Sequence, residues 1–166
     1  AAAYRRRVIQ LGEHPDRVFN VGGLGIDAIN SIELLSQAEL EKSIDFNLRR
    51  KNLLITFHPI TLEGSASSAE QMGEMLSALS ELQDTGLILT MPNADPGGSE
   101  LAVMVDAFVS EHDNARVFTS LGQLRYLSLM KLVDGVVGNS SSGLLEAPSF
   151  HLGTVNIGDR QKGRLR

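Results

Sequence analysis

The sequence predicts an α/β fold in which helices cover both faces of a parallel β-sheet. Short apolar runs alternate with longer amphipathic ones, and the short runs are apolar on both faces instead of alternating. Glycine and polar residues follow nearly every short run, which is typical of strands that end in ligand-binding loops. Because crossovers between parallel strands are right-handed, we expect these elements to form a doubly wound, Rossmann-like domain.

Six strands are predicted, and helix separates each from the next. One helical stripe places Met72, Met75, Leu76, Leu79 and Leu82 on a single face, as a 3.6-residue period requires. The predicted strands span residues 17–23, 51–59, 86–92, 115–120, 134–140 and 153–158. The predicted helices span residues 26–35, 36–48, 67–82, 99–112, 122–133 and 141–150.

Serine residues are predicted to begin two of these helices. Ser36 and Glu39 fit the serine-x-x-glutamate capping box, in which each side chain satisfies a free backbone N–H. Ser99 is the expected N-cap of the helix that begins near it.

The two ends of the chain suggest a domain boundary. Residues 1–16 begin within a helical pattern, and the chain stops shortly after the last predicted strand. We therefore expect residues 1–16 to be the end of a linker helix from a missing N-terminal domain. Residues 17–166 are then expected to form one Rossmann-like domain that is truncated at its C-terminus.

Composition excludes several classes of function. The 166 residues carry a formal net charge of −5, and a nucleic-acid backbone needs a basic face, so no nucleic acid is expected as a partner. There is no cysteine, hence no disulfide or thiolate metal site. The sequence also shows no cluster of other metal ligands, and no cofactor or metal is expected. No apolar run is long enough for a membrane, and no signal-peptide pattern is present, so we expect a cytoplasmic protein without a membrane partner.

Candidate site residues collect after the predicted strands, because the carboxyl ends of parallel strands meet at one edge of the sheet. A wide ligand-binding cleft is therefore expected along this edge. The residues that follow the strands in chain order are Gly22, Gly23 and Gly25, then His58, Asn93 and Asp95, Ser120 and Gly122, Ser140, Ser141 and Ser142, and finally Arg160.

The run Ser140–Ser142 is the strongest of these signals. At a strand-to-helix turn the first N–H groups of the helix are free, and the helix dipole places positive charge there. Serine hydroxyls add donors, and Gly143 would let a ligand approach the backbone, so the turn is suited to phosphate. The alternative is that one serine only caps the helix.

The other candidates each have an ordinary structural alternative. Glu146 is suited to a ribose diol or is a solvated surface carboxylate. His58 is a phosphate ligand or an acid–base group, or else a strand-end histidine bonded to backbone. Asn93 and Asp95 face the cleft or only form the turn, and Arg160 is an anion clamp or a terminal charge.

A dinucleotide fingerprint is also present but lacks its context. Residues 23–28 read GLGIDA, which matches the glycine pattern after a predicted strand. The motif also expects an acidic residue at the end of the second strand, where the sequence reads TFHP. An NAD site is therefore not favoured.

The longer motifs resemble the UDP-N-acetylglucosamine 2-epimerase family. The matching segments are VFNVGGLGIDAI, LLITFHPIT, MPNAD and VVGNSSSGLLEAPSF, followed by TVNIGDRQKGR. The GNSSSG and NIGDRQKGR wording is similar to the hydrolysing branch, which makes N-acetylmannosamine for sialic-acid-type sugars. The resemblance runs from about residue 7 to the end and corresponds to the C-terminal half of a two-domain GT-B architecture.

This resemblance implies roles for individual residues. Ser140 and Ser141 match the serines that hold the phosphates of uridine diphosphate (UDP), and Glu146 matches the ribose-binding glutamate. His58 matches a histidine near the phosphate and sugar, and Arg160 matches an arginine near the active site. Asn93, Asp95 and Ser120 match cleft positions less specifically, and the uracil is expected near Ser120–Gly122.

The implied reaction converts UDP-N-acetylglucosamine and water into N-acetylmannosamine and UDP. Its partners are the UDP-sugar, the missing N-terminal domain and a possible second copy of the parent chain. The acid–base carboxylates belong mainly to the missing half, so this chain alone is expected to be inactive. Two other functions remain open: one half of a UDP-sugar glycosyltransferase, and a non-catalytic nucleotide-sugar sensor.

Overall fold

The structure is a computed structural model that describes residues 1–60 and 67–165. The chain divides into two compact units, Ala1–Ile32 and Glu33–Arg166. Within the described ranges, no helix combines the length and apolar character needed to cross a bilayer.

The first unit is helical, and its predicted strand at residues 17–23 is wrong. Helix α1 spans Ala2–Gln10, a 3-10 turn spans Pro15–Arg17, and helix α2 spans Leu24–Ser31. Arg5 donates from Nε to the carbonyl of Val18 and from Nη2 to that of Pro15, both at 2.8 Å. The carbonyl of Val18 therefore accepts from an arginine side chain and not from a neighbouring strand. Residues 18–23 form no strand of the sheet.

The second unit contains a five-stranded, fully parallel sheet in the order β3-β2-β1-β4-β5. The doubly wound α/β class is thereby confirmed, with five strands in place of six among residues 1–60 and 67–165. The register places Thr56 of β1 beside Thr90 of β2 and Gly138 of β4, so these three strands end together. The strands are β1 Lys51–Thr56, β2 Thr85–Thr90, β3 Ala115–Phe118, β4 Gly135–Gly138 and β5 Gly153–Asn156.

Helices follow each of the first four strands. The capping box of Ser36 and Glu39 is confirmed, and Ser67 and Glu70 form a second one. The helices of this unit are α3 Gln37–Ile44, α4 Ser68–Ser80, α5 Gly98–Glu111, α6 Gly122–Leu132 and α7 Ser142–Leu145, and a 3-10 helix Ala147–Phe150 follows α7.

Ser99 is not the N-cap of α5, contrary to the prediction. The N-cap is Gly97, which has a φ of 88°, and the helix begins at Gly98. The N–H of Gly98 donates to the carbonyl of Asp95 at 2.8 Å, so the turn starts earlier than the serine. A Cβ on Gly98 would collide with the carbonyl oxygen of Asn93, which explains a glycine at this position.

The core lies between α4, α5 and the central strands. The stripe Met72, Met75, Leu76 and Leu79 is buried as predicted, whereas Leu82 lies beyond the end of α4 and is 38% exposed. Each buried side chain of this size contributes about 1.5–3 kcal/mol relative to exposure. The same cluster includes residues of β1 and β2 and Leu101, Val105 and Phe108 of α5, which fixes the strand ends relative to one another.

Candidate functional site

Asn139 joins the carboxyl ends of β1 and β4. This residue follows β4 directly and is 0% exposed. Its Oδ1 accepts from the backbone N–H of His58 at 2.8 Å, and its Nδ2 donates to the carbonyl of His58 at 2.8 Å. Its own N–H donates to the carbonyl of Thr56 at 3.1 Å. The loop after β1 is therefore held against the turn after β4.

The segment after β5 also contacts Asn139. Arg160 donates from Nη1 to the carbonyl of Asn139 at 3.2 Å, and Gln161 donates from Nε2 to the same oxygen at 2.7 Å. Gln161 is 1% exposed, whereas Arg160 is only half-buried. The guanidinium thus lies at the strand ends with N–H groups left to bind an anion.

His58 is held as a neutral hydrogen-bond donor. Its Nδ1 accepts from the backbone N–H of Asn93 at 3.3 Å, so the neutral ring carries its proton on Nε2. Burial lowers the pKa of His58 below its ordinary value, the charge of Arg160 lowers it further, and the charge of Asp95 opposes them. The backbone bond that was the structural alternative for His58 is present, and the proton on Nε2 can be donated to a ligand oxygen.

The lowered pKa of His58 predicts a pH dependence of stability. Folded His58 titrates below its unfolded value, so the unfolded chain binds more protons between the two pKa values. The free energy of unfolding should therefore fall as the pH drops from about 6.5, the ordinary histidine value, through the folded pKa. Urea unfolding of wild type and His58→Gln at pH 7.5 and 5 measures this, and the variant should lose part of the dependence. An equal loss of stability in both proteins would contradict the assignment.

Asn93 and Asp95 form the turn after β2. Asn93 donates from Nδ2 to Asp95 Oδ2 at 2.5 Å, and the carbonyl of Asp95 accepts from Gly98. Asp95 is exposed. The turn-forming alternative is thus what the structure has, and direct ligand contact by either residue stays a prediction.

The serine turn after β4 is tight and begins at a glycine. Gly138 has a φ of 133°, and a Cβ there would collide with the carbonyl oxygen of Thr56. Ser140 Oγ accepts from the N–H of Ser142 at 3.3 Å, and Ser141 is the N-cap of α7 without making a side-chain cap bond. Because α7 has only four residues, its dipole is weak. The serine hydroxyls and Arg160 are therefore better suited to bind an anion than the helix N-terminus is.

Ser142 and Gly143 face inward in this turn, and the ligand contacts expected of them stay predictions. Ser142 is 7% exposed and its Oγ accepts from the hydroxyl of Tyr126 at 2.9 Å. A Cβ on Gly143 would lie 2.6 Å from Cγ2 of Thr154, so packing against β5 also favours a glycine here. Ser140 and Ser141 are both half-buried, and their contact with a phosphate stays a prediction.

Tyr126 of α6 contacts the serine turn through its hydrogen bond to Ser142. Burial raises the pKa of its hydroxyl, its hydrogen bonds with Ser142 and Thr56 lower that pKa, and the charge of Glu146 raises it. The hydroxyl is therefore protonated at neutral pH and donates to Ser142. Glu146 is the C-cap of α7, and its backbone N–H donates to the carbonyl of Ser142 at 3.0 Å.

Glu146 and Ser120 lie at separate points of the predicted cleft. Glu146 ends α7 and is half-buried, and its contact with a sugar stays a prediction. Ser120 follows β3, is exposed, and its Oγ accepts from the N–H of Gly122 at 3.2 Å. Strands β3 and β4 are three strand spacings apart, about 14 Å, so a ligand that contacts the loops after both strands must be extended.

Sequence reasoning missed Asn139, Gln161 and Tyr126. A polar residue that directly follows an apolar strand is a signal for Asn139, but the same position is also ordinary for a turn former. Tyr126 lies within a helical pattern and gives no signal of its own. Among residues 1–60 and 67–165, no cluster of three or more histidine or carboxylate side chains is arranged as a metal site.

The family model for UDP-N-acetylglucosamine 2-epimerase matches residues 1–166. The chain belongs to the UDP-N-acetylglucosamine 2-epimerase family. The resemblance found in its motifs is thereby confirmed over the full sequence. The predicted strand before GLGIDA is wrong, so the dinucleotide fingerprint at residues 23–28 also lacks its structural context.

Two relatives are about 40% identical to the chain over the segment that each shares with it. One is named GDP/UDP-N,N'-diacetylbacillosamine 2-epimerase (hydrolyzing), from Campylobacter jejuni, and is 40% identical over 98% of this chain and 42% of its own. The other is named polysialic acid biosynthesis protein P7, from Escherichia coli, and is 42% identical over 98% of this chain and 41% of its own. The chain therefore spans about two fifths of the length of these relatives.

Solved structures share the fold at lower identity. The Staphylococcus aureus MnaA–UDP co-structure matches with a TM-score of 0.65 and 19% identity over 96% of this chain and 42% of that one. The Neisseria meningitidis UDP-GlcNAc 2-epimerase bound to UDP-GlcNAc matches with a TM-score of 0.57 and 14% identity over 93% and 41%. The Rossmann-like class, as one half of a GT-B architecture, is confirmed by these matches.

Proposed function

We propose that this chain is the UDP-binding C-terminal half of a hydrolysing UDP-N-acetylglucosamine 2-epimerase. The observation that carries the proposal is the meeting of Arg160, His58 and the serine turn at one sheet edge, in a chain of this family. The parent would be a cytoplasmic enzyme of sialic-acid-type sugar biosynthesis and a possible homo-oligomer. Residues 1–16 would come from the linker and residues 17–166 from the UDP-binding domain.

Three kinds of donor would receive the pyrophosphate. Arg160 supplies a fixed positive charge, His58 supplies the Nε2–H, and Ser141 supplies a hydroxyl that makes no cap bond. Hydrogen bonds to a charged group are stronger than neutral ones, which allows a chain with a net charge of −5 to hold an anion locally. Glu146 would accept from the ribose hydroxyls, and backbone groups near Ser120–Gly122 would meet the uracil.

In the reaction this half would stabilise the leaving group. When the bond between C1 of the sugar and the phosphate oxygen breaks, its electron pair stays on UDP, and negative charge grows on the β-phosphate. Fixed donors at that position lower the barrier because they are oriented before the charge develops. The proton on C2 would be removed by a group of the missing half, and water would then add to the resulting glycal-like sugar. This half alone would bind UDP without turnover.

A second candidate substrate is a nucleotide-linked N,N'-diacetylbacillosamine. It is favoured by the 40% identity to the Campylobacter jejuni relative and the 29% identity to a Legionella pneumophila relative, whose names both carry this sugar. In both candidates an N-acetylated sugar is attached to a nucleoside diphosphate, which is the leaving group of the reaction. Product analysis of the parent with each sugar separates them, and it also separates hydrolysis from glycosyl transfer, which needs an acceptor.

The deciding experiment is calorimetric titration of UDP into wild type and Ser141→Ala. We expect binding by the wild type and an affinity about 10- to 100-fold lower in the variant, because a hydrogen bond to a charged group is lost. Ser110→Ala is the control, since Ser110 donates to the carbonyl of Ala107 near the other end of α5. A wild type without UDP affinity would refute the proposed function. Equal affinities in wild type and Ser141→Ala would remove Ser141 from the site.

A further inference from the structure

Two asparagines of this chain make the same contact at opposite ends of the sheet. Asn52 accepts from the N–H of Arg49 at 2.9 Å and donates to the carbonyl of Arg49 at 2.7 Å. Asn139 brackets the backbone of His58 in the same way, with both bonds at 2.8 Å. Both asparagines are buried, at 4% and 0% exposure. A primary amide suits this contact because it carries a donor and an acceptor side by side.

Asn139 differs from Asn52 in what its main chain holds. Its backbone N–H donates to the carbonyl of Thr56, and its own carbonyl accepts from both Arg160 and Gln161. One buried residue thus links the loop after β1, the turn after β4 and the segment after β5. His58 and Arg160 have the side chains best suited to bind an anion. The side-chain amide of Asn139 holds the backbone of His58, and its main-chain carbonyl accepts from Arg160.

We propose that Asn139 is a positioning residue that fixes His58 and Arg160 in one arrangement for the ligand of this sheet edge. Its amide sets where the imidazole emerges from β1, and its carbonyl sets where the guanidinium emerges after β5. Asn139 makes no ligand contact itself, because it is fully buried. The identity of the ligand rests on the proposed function, whereas the coupling of His58 to Asn139 does not.

The test compares Asn139→Ala with Asn52→Ala. Both variants remove the same amide bracket and leave a buried N–H and carbonyl unpaired, so similar losses of thermal stability are expected. NMR titration of the imidazoles then measures the pKa of His58 without any ligand. Asn139→Ala should raise that pKa towards the ordinary histidine value, since His58 becomes more hydrated and moves from Arg160. Asn52→Ala should leave it unchanged.

UDP titration supplies the second measurement. We expect the affinity to fall about tenfold or more in Asn139→Ala and to stay near that of the wild type in Asn52→Ala. A folded Asn139→Ala with the wild-type His58 pKa and UDP affinity would overturn the proposal. An equal rise of the His58 pKa in both variants would also overturn it, because general loosening would then be the cause.

The test decides the role of Asn139 even if UDP does not bind or the variant does not fold. If the wild type binds no UDP, the proposed function fails, and the titration of His58 still decides the role of Asn139. If Asn139→Ala does not fold, hydrogen exchange of the wild-type chain replaces it. The backbone N–H of His58 should then exchange as slowly as those of β1, since it donates to Asn139 Oδ1. Exchange at the rate of an open loop would refute the proposal.

Discussion

Gly138→Ala is expected to lower the free energy of unfolding by about 3 kcal/mol or more. The residue has a φ of 133°, which is a backbone conformation that side chains rarely adopt. The added Cβ would also collide with the carbonyl oxygen of Thr56, so β1 and β4 must separate at their ends. That separation breaks the bond from the N–H of Asn139 to Thr56. Urea unfolding followed by circular dichroism measures the loss.

Gly153→Ala is the matched control for this prediction. Gly153 also lies in a strand of the same sheet, but an added Cβ would have no atom within 4 Å, and the residue is exposed. A change within about 0.5 kcal/mol is expected there, as for surface substitutions in general. A Gly138→Ala protein as stable as Gly153→Ala would mean that the turn after β4 relaxes freely.

Arg160→Ala is expected to lower the affinity for UDP about 10- to 100-fold. Arg160 is the cation that the structure ties to the turn after β4, and hydrogen bonds to a charged partner contribute about 1.5–3 kcal/mol. The same variant should raise the pKa of His58, because the charge of Arg160 lowers it in the wild type. Calorimetry measures the first effect and NMR titration of the imidazole measures the second.

Arg49→Ala controls for the loss of an arginine that is anchored to backbone. Arg49 precedes β1 at the other end of the sheet and donates from Nη1 to the carbonyl of Gln83 at 2.6 Å. We expect no change in UDP affinity or in the His58 pKa from this variant. If Arg49→Ala weakened UDP binding as much as Arg160→Ala, the electrostatic role of Arg160 would be rejected.

Helix and strand positions were largely predictable because they follow from local patterns. The stripe of α4 and the capping box of Ser36 and Glu39 each depend on residues within a few positions of one another. The strand at 17–23 failed for the opposite reason. Its composition favours a strand, but a strand also needs a partner, and Arg5 takes the Val18 carbonyl instead.

The site was predictable as a place but not as a set of contacts. Parallel topology brings every strand end to one edge, and this rule is enough to expect His58, Arg160 and the serine turn there. Side-chain direction is decided by packing partners far away in sequence. Tyr126 donates to Ser142, and Thr154 occupies the space beside Gly143, and neither contact has a signal in the local sequence.

The sequence by itself determined the α/β class, the order of most elements and the edge at which polar residues collect, because periodicity and connection rules act locally. Only the tertiary structure decided that Asn139 links the segments that follow β1, β4 and β5. Its hydrogen bonds reach Thr56, His58, Arg160 and Gln161, and all four partners lie 21 or more positions away along the chain. A buried amide must satisfy its donors and acceptors with whatever the folded chain brings to it, and no local pattern specifies those partners.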